Sequence, residues 1–300
     1  MNDPATPSRG ALVLRAVVGI VAFGLLGFSF TQILALLAYG GAQAIGGGVA
    51  AWVKDPNTGQ IFLGGVVTAL GFLGSTLVVG MLAFRLKPAE LRWRNAGGAG
   101  RGITFAFLIG IALSGLILVL SAAFGGARWS PDNGTAMLYA ERIGLVLLIL
   151  APSALAEELV FRGVPLVLLD RAAGRGAAIG ITALLFALAH SQNPEITTLS
   201  IGNICVAGVL LGIAFYAPGG LWSAIGFHLG WNWAIASLDA PLSGIDLRIP
   251  FINYDPGGPA WLTGGKFGPE GGVLATLVLA MATVLASRLV LNQQKLKMED

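Results

Sequence analysis

Charge is scarce in this chain. Only 11% of the 300 residues are Asp, Glu, Lys or Arg, while 55% are apolar and the mean hydropathy is +0.79. An ordinary soluble domain carries about 25% charged residues, so these values exclude one and point to a chain solvated by lipid. Cysteine is nearly missing: Cys205 stands alone inside an apolar segment, which excludes a disulfide framework and a cysteine metal site. Histidine occurs twice, at His190 and His228, so imidazole chemistry has two positions available to it. No internal repeat and no separate polar domain interrupts the chain, and residues 1–300 read as one integral membrane domain. Basic residues interleaved with stacking aromatics are also missing. Trp93 is isolated in its basic stretch, and nucleic acid is excluded as a partner.

What remains is apolar runs. Against about 20 apolar residues per spanning helix, eight segments qualify: 11–38, 61–84, 103–124, 138–165, 177–190, 199–216, 221–238 and 271–291. The fold class is therefore all-α, a polytopic transmembrane bundle of about eight spanning helices. The first run is too long for a signal peptide and reads as a retained helix, in which Gly19, Gly24 and Gly27 are spaced for close helix contact. The first ten residues read as a frayed polar tail.

Lys and Arg gather on alternate loops. An N-terminus in the cytoplasm puts Arg9, Arg15, Arg85, Lys87, Arg92, Arg94, Arg101, Arg171, Arg175, Arg288, Lys295 and Lys297 inside. Lys54, Arg128, Arg248 and Lys266 stay outside. Both termini are then cytoplasmic, as in a multi-pass protein of a prokaryotic plasma membrane. The 85–101 stretch, the most basic, reads as a topogenic loop facing anionic lipid. Trp129 falls at interfacial height in an outer turn. The 239–270 loop, rich in Pro and Gly, reads as a passive outer loop, with a lid or substrate guide as the alternative.

Three charges sit inside the fourth apolar segment: Glu157, Glu158 and Arg162. Each ionisable group at the bilayer centre costs roughly 3 kcal/mol on insertion scales, so they need a partner or a cavity. Glu158 and Arg162 are four apart, share a helix face and can neutralise each other. Glu157 points about 100° away and is left as the acid that faces a cavity, where it can act as a general base. His228 and Asn232, also four apart, share a stripe of the seventh segment, and Phe186 lies one turn before His190 in the fifth. At a rise of about 1.5 Å per residue, counted from residues 165 and 221, Glu157 and His228 lie roughly 10–12 Å from the inner side; His190 comes out nearer 20 Å.

This set supports two chemistries. Glu157, His190 and His228 form a two-His, one-carboxylate donor set for one divalent metal, zinc, around an activated water. Without a metal, Glu157 and His190 hold and deprotonate the water while His228 and Asn232 donate to an oxyanion. Asn232, a weak zinc ligand, favours the version with no cofactor. Transport by a proton-coupled carrier also uses buried Glu and His, and a catalytically silent scaffold for membrane peptides would keep the cavity alone. The confinement of the polar set to one half of the chain speaks against paired transporter repeats.

The motifs Glu157-Glu158-x-x-x-Arg162, Phe186-x-x-x-His190 and His228-x-x-x-Asn232, in this order on separate apolar segments, resemble the CPBP intramembrane proteases. That family includes the CaaX prenyl endopeptidases and bacteriocin-processing proteins. The resemblance covers about residues 138–238 and implies a catalytic core on the fourth, fifth and seventh helices. It further implies an endopeptidase that cleaves a membrane-associated or lipidated peptide near the cytoplasmic face. In it Glu157 activates water with His190 as partner, His228 and Asn232 stabilise the oxyanion, and Glu158 and Arg162 are structural.

Overall fold

The computed structural model describes residues 8–93 and 98–299, and the side chains of these up to residue 290. The polar tail expected before residue 8, Arg94, and the side chains of Lys295 and Lys297 lie outside the described residues. The elements in chain order are α1 (Arg9–Ile45), α2 (Gly47–Trp52), α3 (Gly59–Ser75, continued as a π-helix over Thr76–Ala83), α4 (Ala99–Gly125) and strand β1 (Arg128–Pro131). Then follow α5 (Ala136–Arg162), α6 (Val164–Ala173), α7 (Arg175–Ala189), α8 (Thr198–Tyr216), α9 (Leu221–Ser237), strand β2 (Ile252–Asp255), α10 (Ala260–Thr263) and α11 (Val273–Glu299).

Among the described residues, six helical spans are long and apolar enough to cross a membrane. Large apolar side chains such as Leu14, Leu36, Leu82, Phe105, Leu148 and Leu277 are exposed on their outer faces, as lipid requires. The all-α reading holds, and two of the eight expected segments are shorter than full spans. α7 has 15 residues. α9 has 17 and is buried on almost every face, so its polar composition meets protein where a lipid-facing helix would meet hydrocarbon.

The fourth segment does not stop where its apolar run does. Gly163 breaks the helix at φ −73°, ψ −123°, and Pro165, which lacks an N–H, sits in the first turn of α6. The descent through Ala136–Ala173 thus continues into α6, whose residues from Val164 to Leu169 are all buried. A depth counted from residue 165 leaves out α6 and so underestimates the distance of Glu157 from the end of this helical span.

Small residues set the closest crossings. A Cβ on Gly226 or Gly230 of α9 would fall 2.3 or 2.1 Å from a carbonyl oxygen of α4, Ile103 or Phe107. Gly110 of α4 returns the same intimacy toward Phe227. His228 lies two residues from each α9 glycine, about 200° around the helix, so the crossing that buries one face aims the other at the bundle interior. In α1, Gly19 meets Phe84 and Leu168, and Gly27 meets Phe72; Gly24, about 140° from Gly19, faces open space and is no contact residue.

Two loops depart from expectation. In the 85–101 stretch Leu86 and Leu91 are buried, and Arg92 donates to the carbonyls of Tyr216 and Ala217, at 3.3 and 2.9 Å. A cation thereby closes the C-terminus of α8, where unpaired carbonyls and the helix dipole favour positive charge. Glu90 accepts from the Lys87 N–H and pairs with Arg171; these contacts hold its carboxyl below the ordinary range. Leu86, Leu91 and Arg92 thus dock this stretch on the bundle, while Arg85 and Lys87 stay exposed.

The 239–270 segment is folded as well. β2 pairs antiparallel with β1, Arg128 facing Asp255 and Pro131 facing Ile252. Trp129, half-buried, packs on Tyr254 and donates its indole N–H to the Leu238 carbonyl. Asp239 accepts the N–H groups of Ile249 and Tyr254.

Candidate active site

Position along α5 sorts the charges. Glu158 and Arg162 are fully buried and joined at 3.0 Å; the second guanidinium nitrogen donates to Gly208 of α8, also at 3.0 Å. Gly208 accepts this role because it has no side chain: a Cβ there would fall 2.9 Å from the α7 backbone at Ala183. The Arg162 guanidinium lies 4.5 Å from the Phe186 ring centroid, so Phe186 is packed between α5 and α7 by a cation–π contact.

The self-neutralising pair read from the sequence therefore exists, and it has a third member. Glu158 Oε1 also accepts from His228 Nδ1 at 2.9 Å. This bond fixes the imidazole of α9: Nδ1 carries a proton and Nε2 is presented to the cavity.

Glu157, one residue earlier, turns the other way. Its side chain is 34% exposed, against zero for Glu158. Its Oε2 lies 3.6 Å from His190 Nε2 and 3.7 Å from His228 Nε2. Those separations exceed direct hydrogen bonds, and Oε2 makes none among the described residues although it is buried. His190 caps the C-terminus of α7, and its Nδ1, 2.7 Å from the Phe186 carbonyl, must be the donor. Its Nε2 is then an acceptor in the neutral ring. Phe186 lies 4.5 Å beneath His190 and edge-on to His228 at 5.9 Å.

All the predicted site residues are thus brought together, on α5, α7 and α9. Glu157, Phe186, His190, His228 and Asn232 line one cavity of about 220 Å³. As a donor set, one carboxylate and two imidazoles suit zinc. As placed, however, no group of three or more His, Cys, Asp or Glu side chains among the described residues is disposed to hold a metal ion.

Sequence reasoning missed part of the wall. Ser153, one turn before Glu157 on the same face, could have been found by that spacing. Asn193, Ser243, Leu247 and Glu270 could not, since they come from loops whose fold carries no periodicity. Ser243, Leu247 and Glu270 make the 239–270 segment a wall of the cavity, which favours its reading as a substrate guide over that as a passive loop. Ser243 is tied to Asn193, whose side-chain amide donates to its carbonyl at 3.2 Å.

Residues 139–234 match the family described as type II CAAX prenyl endopeptidase Rce1-like. The match covers less than half of the chain and contains every site residue named from the sequence. It agrees with the resemblance read from the three motifs and supports an integral membrane endopeptidase of the CAAX type. No curated protein and no solved structure matches the chain.

Proposed function

Taking the Rce1-like match of residues 139–234 as premise, we propose that the protein is a glutamate-dependent intramembrane endopeptidase acting on a membrane-associated or lipidated peptide. The observation that carries this reading is the convergence of two imidazole Nε2 atoms, at 3.6 and 3.7 Å, on one carboxylate oxygen of Glu157. Those gaps suit a water held by Glu157 and His190 and aimed at a carbonyl carbon.

Glu157 takes a proton from the water as its oxygen attacks. The carbonyl oxygen becomes an oxyanion, which His228 Nε2–H and the Asn232 carboxamide stabilise. Because His228 Nδ1–H is committed to Glu158, donation from Nε2 requires the imidazolium, and the Glu158 carboxylate is placed to support that charge. Glu157 then delivers its proton to the amide nitrogen as the C–N bond breaks. The Glu157, His190 and His228 donors would hold a divalent ion only after rearrangement.

The Lys and Arg distribution supports cytoplasmic termini. It does not support cleavage near the cytoplasmic face. Along α8 the cavity residues run from Asn203 and Ile204 to Leu211, and more of the wall, Ser243, Leu247 and Glu270, comes from the 239–270 segment, while Tyr216 at the far end of α8 receives the basic loop through Arg92. We therefore place the scissile bond in the bilayer interior, on the strand-bearing side of Glu157.

The test is hydrolysis of a panel of fluorogenic membrane peptides, a prenylated one included, by purified wild-type protein and the Glu157→Gln variant. Cleavage by the wild type alone, with both proteins equally folded, is the expected result; cleavage by both would sink the assignment. Activity that survives exhaustive chelation, with no metal in elemental analysis, distinguishes the glutamate-dependent version from the zinc version.

A further inference from the structure

The cavity has a second carboxylate that this hydrolysis does not use. Glu270 closes the segment between α9 and α11, is only 8% exposed, and lines the same cavity as Glu157. One of its carboxylate oxygens accepts from Trp231 Nε1 at 3.1 Å and the other from the Ser243 hydroxyl. Its backbone carbonyl accepts from Asn203 of α8 at 2.8 Å. Two hydrogen bonds therefore fix the carboxylate and a third its backbone, yet both groups that meet the carboxylate are neutral. Among the described residues no Lys, Arg or His forms an ion pair with it.

A buried carboxylate with no cation beside it is costly in a low-dielectric site, and that cost falls when a cation arrives. Glu270 lines the cavity that also holds Glu157, His190 and His228. Trp231 lies three residues beyond His228 and one before Asn232, so the indole that holds Glu270 belongs to the α9 stripe bearing the proposed oxyanion donors. The neighbouring wall, Leu242, Ile245 and Leu247, is apolar and would receive uncharged parts of a peptide.

We propose that Glu270 is a specificity-determining residue whose carboxylate takes a cationic group of the peptide substrate, a Lys or Arg side chain or a free amino group, inside the catalytic cavity. This rests on the endopeptidase reading and deepens it. Glu270 lies outside residues 139–234, so the selectivity belongs to this chain's own cavity wall and not to the matched segment.

Three membrane peptides of equal length, differing only by Lys, norleucine or Glu at one position scanned along the cleavable stretch, test this in wild type and Glu270→Gln. Gln can accept from Trp231 and donate to Ser243, so it preserves the wall while removing the charge. The expected wild-type result is a preference for Lys over norleucine of roughly ten- to hundredfold in kcat/KM, expressed in KM, as for a hydrogen bond to a charged group. In Glu270→Gln that ratio collapses toward one. Equal losses on all three peptides would reduce Glu270 to a structural latch and overturn the proposal, as would a wild type indifferent to the substitution.

Binding of the labelled Lys and norleucine peptides to Glu157→Gln and to Glu157→Gln/Glu270→Gln separates the two readings. A Lys preference lost only in the double variant sustains the role of Glu270 even if no peptide is cleaved, whereas equal affinities overturn it. A wild type that cleaves nothing counts against the endopeptidase alone.

Discussion

Glu157 and Glu158 are joined by one peptide bond and are used in opposite ways. Glu158 is completely buried, shared between Arg162 and His228; Glu157 is a third exposed, faces a cavity, and has an oxygen aimed at two imidazoles. The helix makes the difference. A turn of about 100° per residue sends one carboxylate toward α8 and α9 and the other toward the cavity. Two like charges in lipid are tolerated because one is neutralised locally and the other meets polar groups, and this divides stability from chemistry between neighbours.

Exchanging each carboxylate for its amide should break that comparison cleanly. Glu157→Gln is expected to lower kcat by three orders of magnitude or more, at the upper part of the range for a lost general base, with the thermal midpoint in detergent nearly unchanged. Glu158→Gln should instead lower stability by about 3–5 kcal/mol, because it leaves the fully buried Arg162 without its charge partner. Thermal or denaturant unfolding monitored by tryptophan fluorescence measures it. Pairing Glu158→Leu with Arg162→Met should recover much of the loss, and strict additivity would show that the two residues do not act as a unit.

The same two residues show how far the sequence could be read. Spacing within one helix foretold the Glu158–Arg162 bridge and the free face of Glu157, and the order of three motifs foretold that His190, His228 and Asn232 would join them. Spacing cannot foretell contacts between helices, so the His228–Glu158 bond, which decides which imidazole nitrogen faces the cavity, was not legible. Nor was the wall built by Ser243 and Glu270: polar residues in a Pro- and Gly-rich loop have no period, and their place follows from contacts with distant residues, Asn203 and Trp231 for Glu270 and Asn193 for Ser243. The bounds of α9 follow its apolar run, but that it is sheathed in protein on nearly every face depends on its neighbours and has no signal of its own.

Gly208 tests the other side of the Glu158 cluster with a smaller expected effect. Its carbonyl receives Arg162, and a methyl group there would meet the α7 backbone at 2.9 Å. Gly208→Ala should push α7 outward, cost about 1–3 kcal/mol as an overpacked contact, and lower kcat by shifting Phe186 and His190 relative to Glu157. An unchanged kcat alongside lowered stability would mean that the His190 geometry does not depend on the α7–α8 spacing.

The mildest contrast pits the membrane carboxylates against Asp239, outside the spans. Burial raises its pKa above the ordinary carboxylate value of 3.8, outweighing the Ile249 and Tyr254 N–H bonds that lower it. A group whose folded pKa is raised gives its full stabilising contribution below the unfolded value and loses it as pH rises through the folded one. The wild type should therefore compare more favourably with Asp239→Asn near pH 3.5 than near pH 7. The readout is the difference in thermal midpoint between the two proteins at each pH, and the variant should lose one backbone acceptor at both. If that difference were larger at neutral pH, the two backbone N–H groups, and not burial, would govern Asp239, making it a scaffold carboxylate like Glu158.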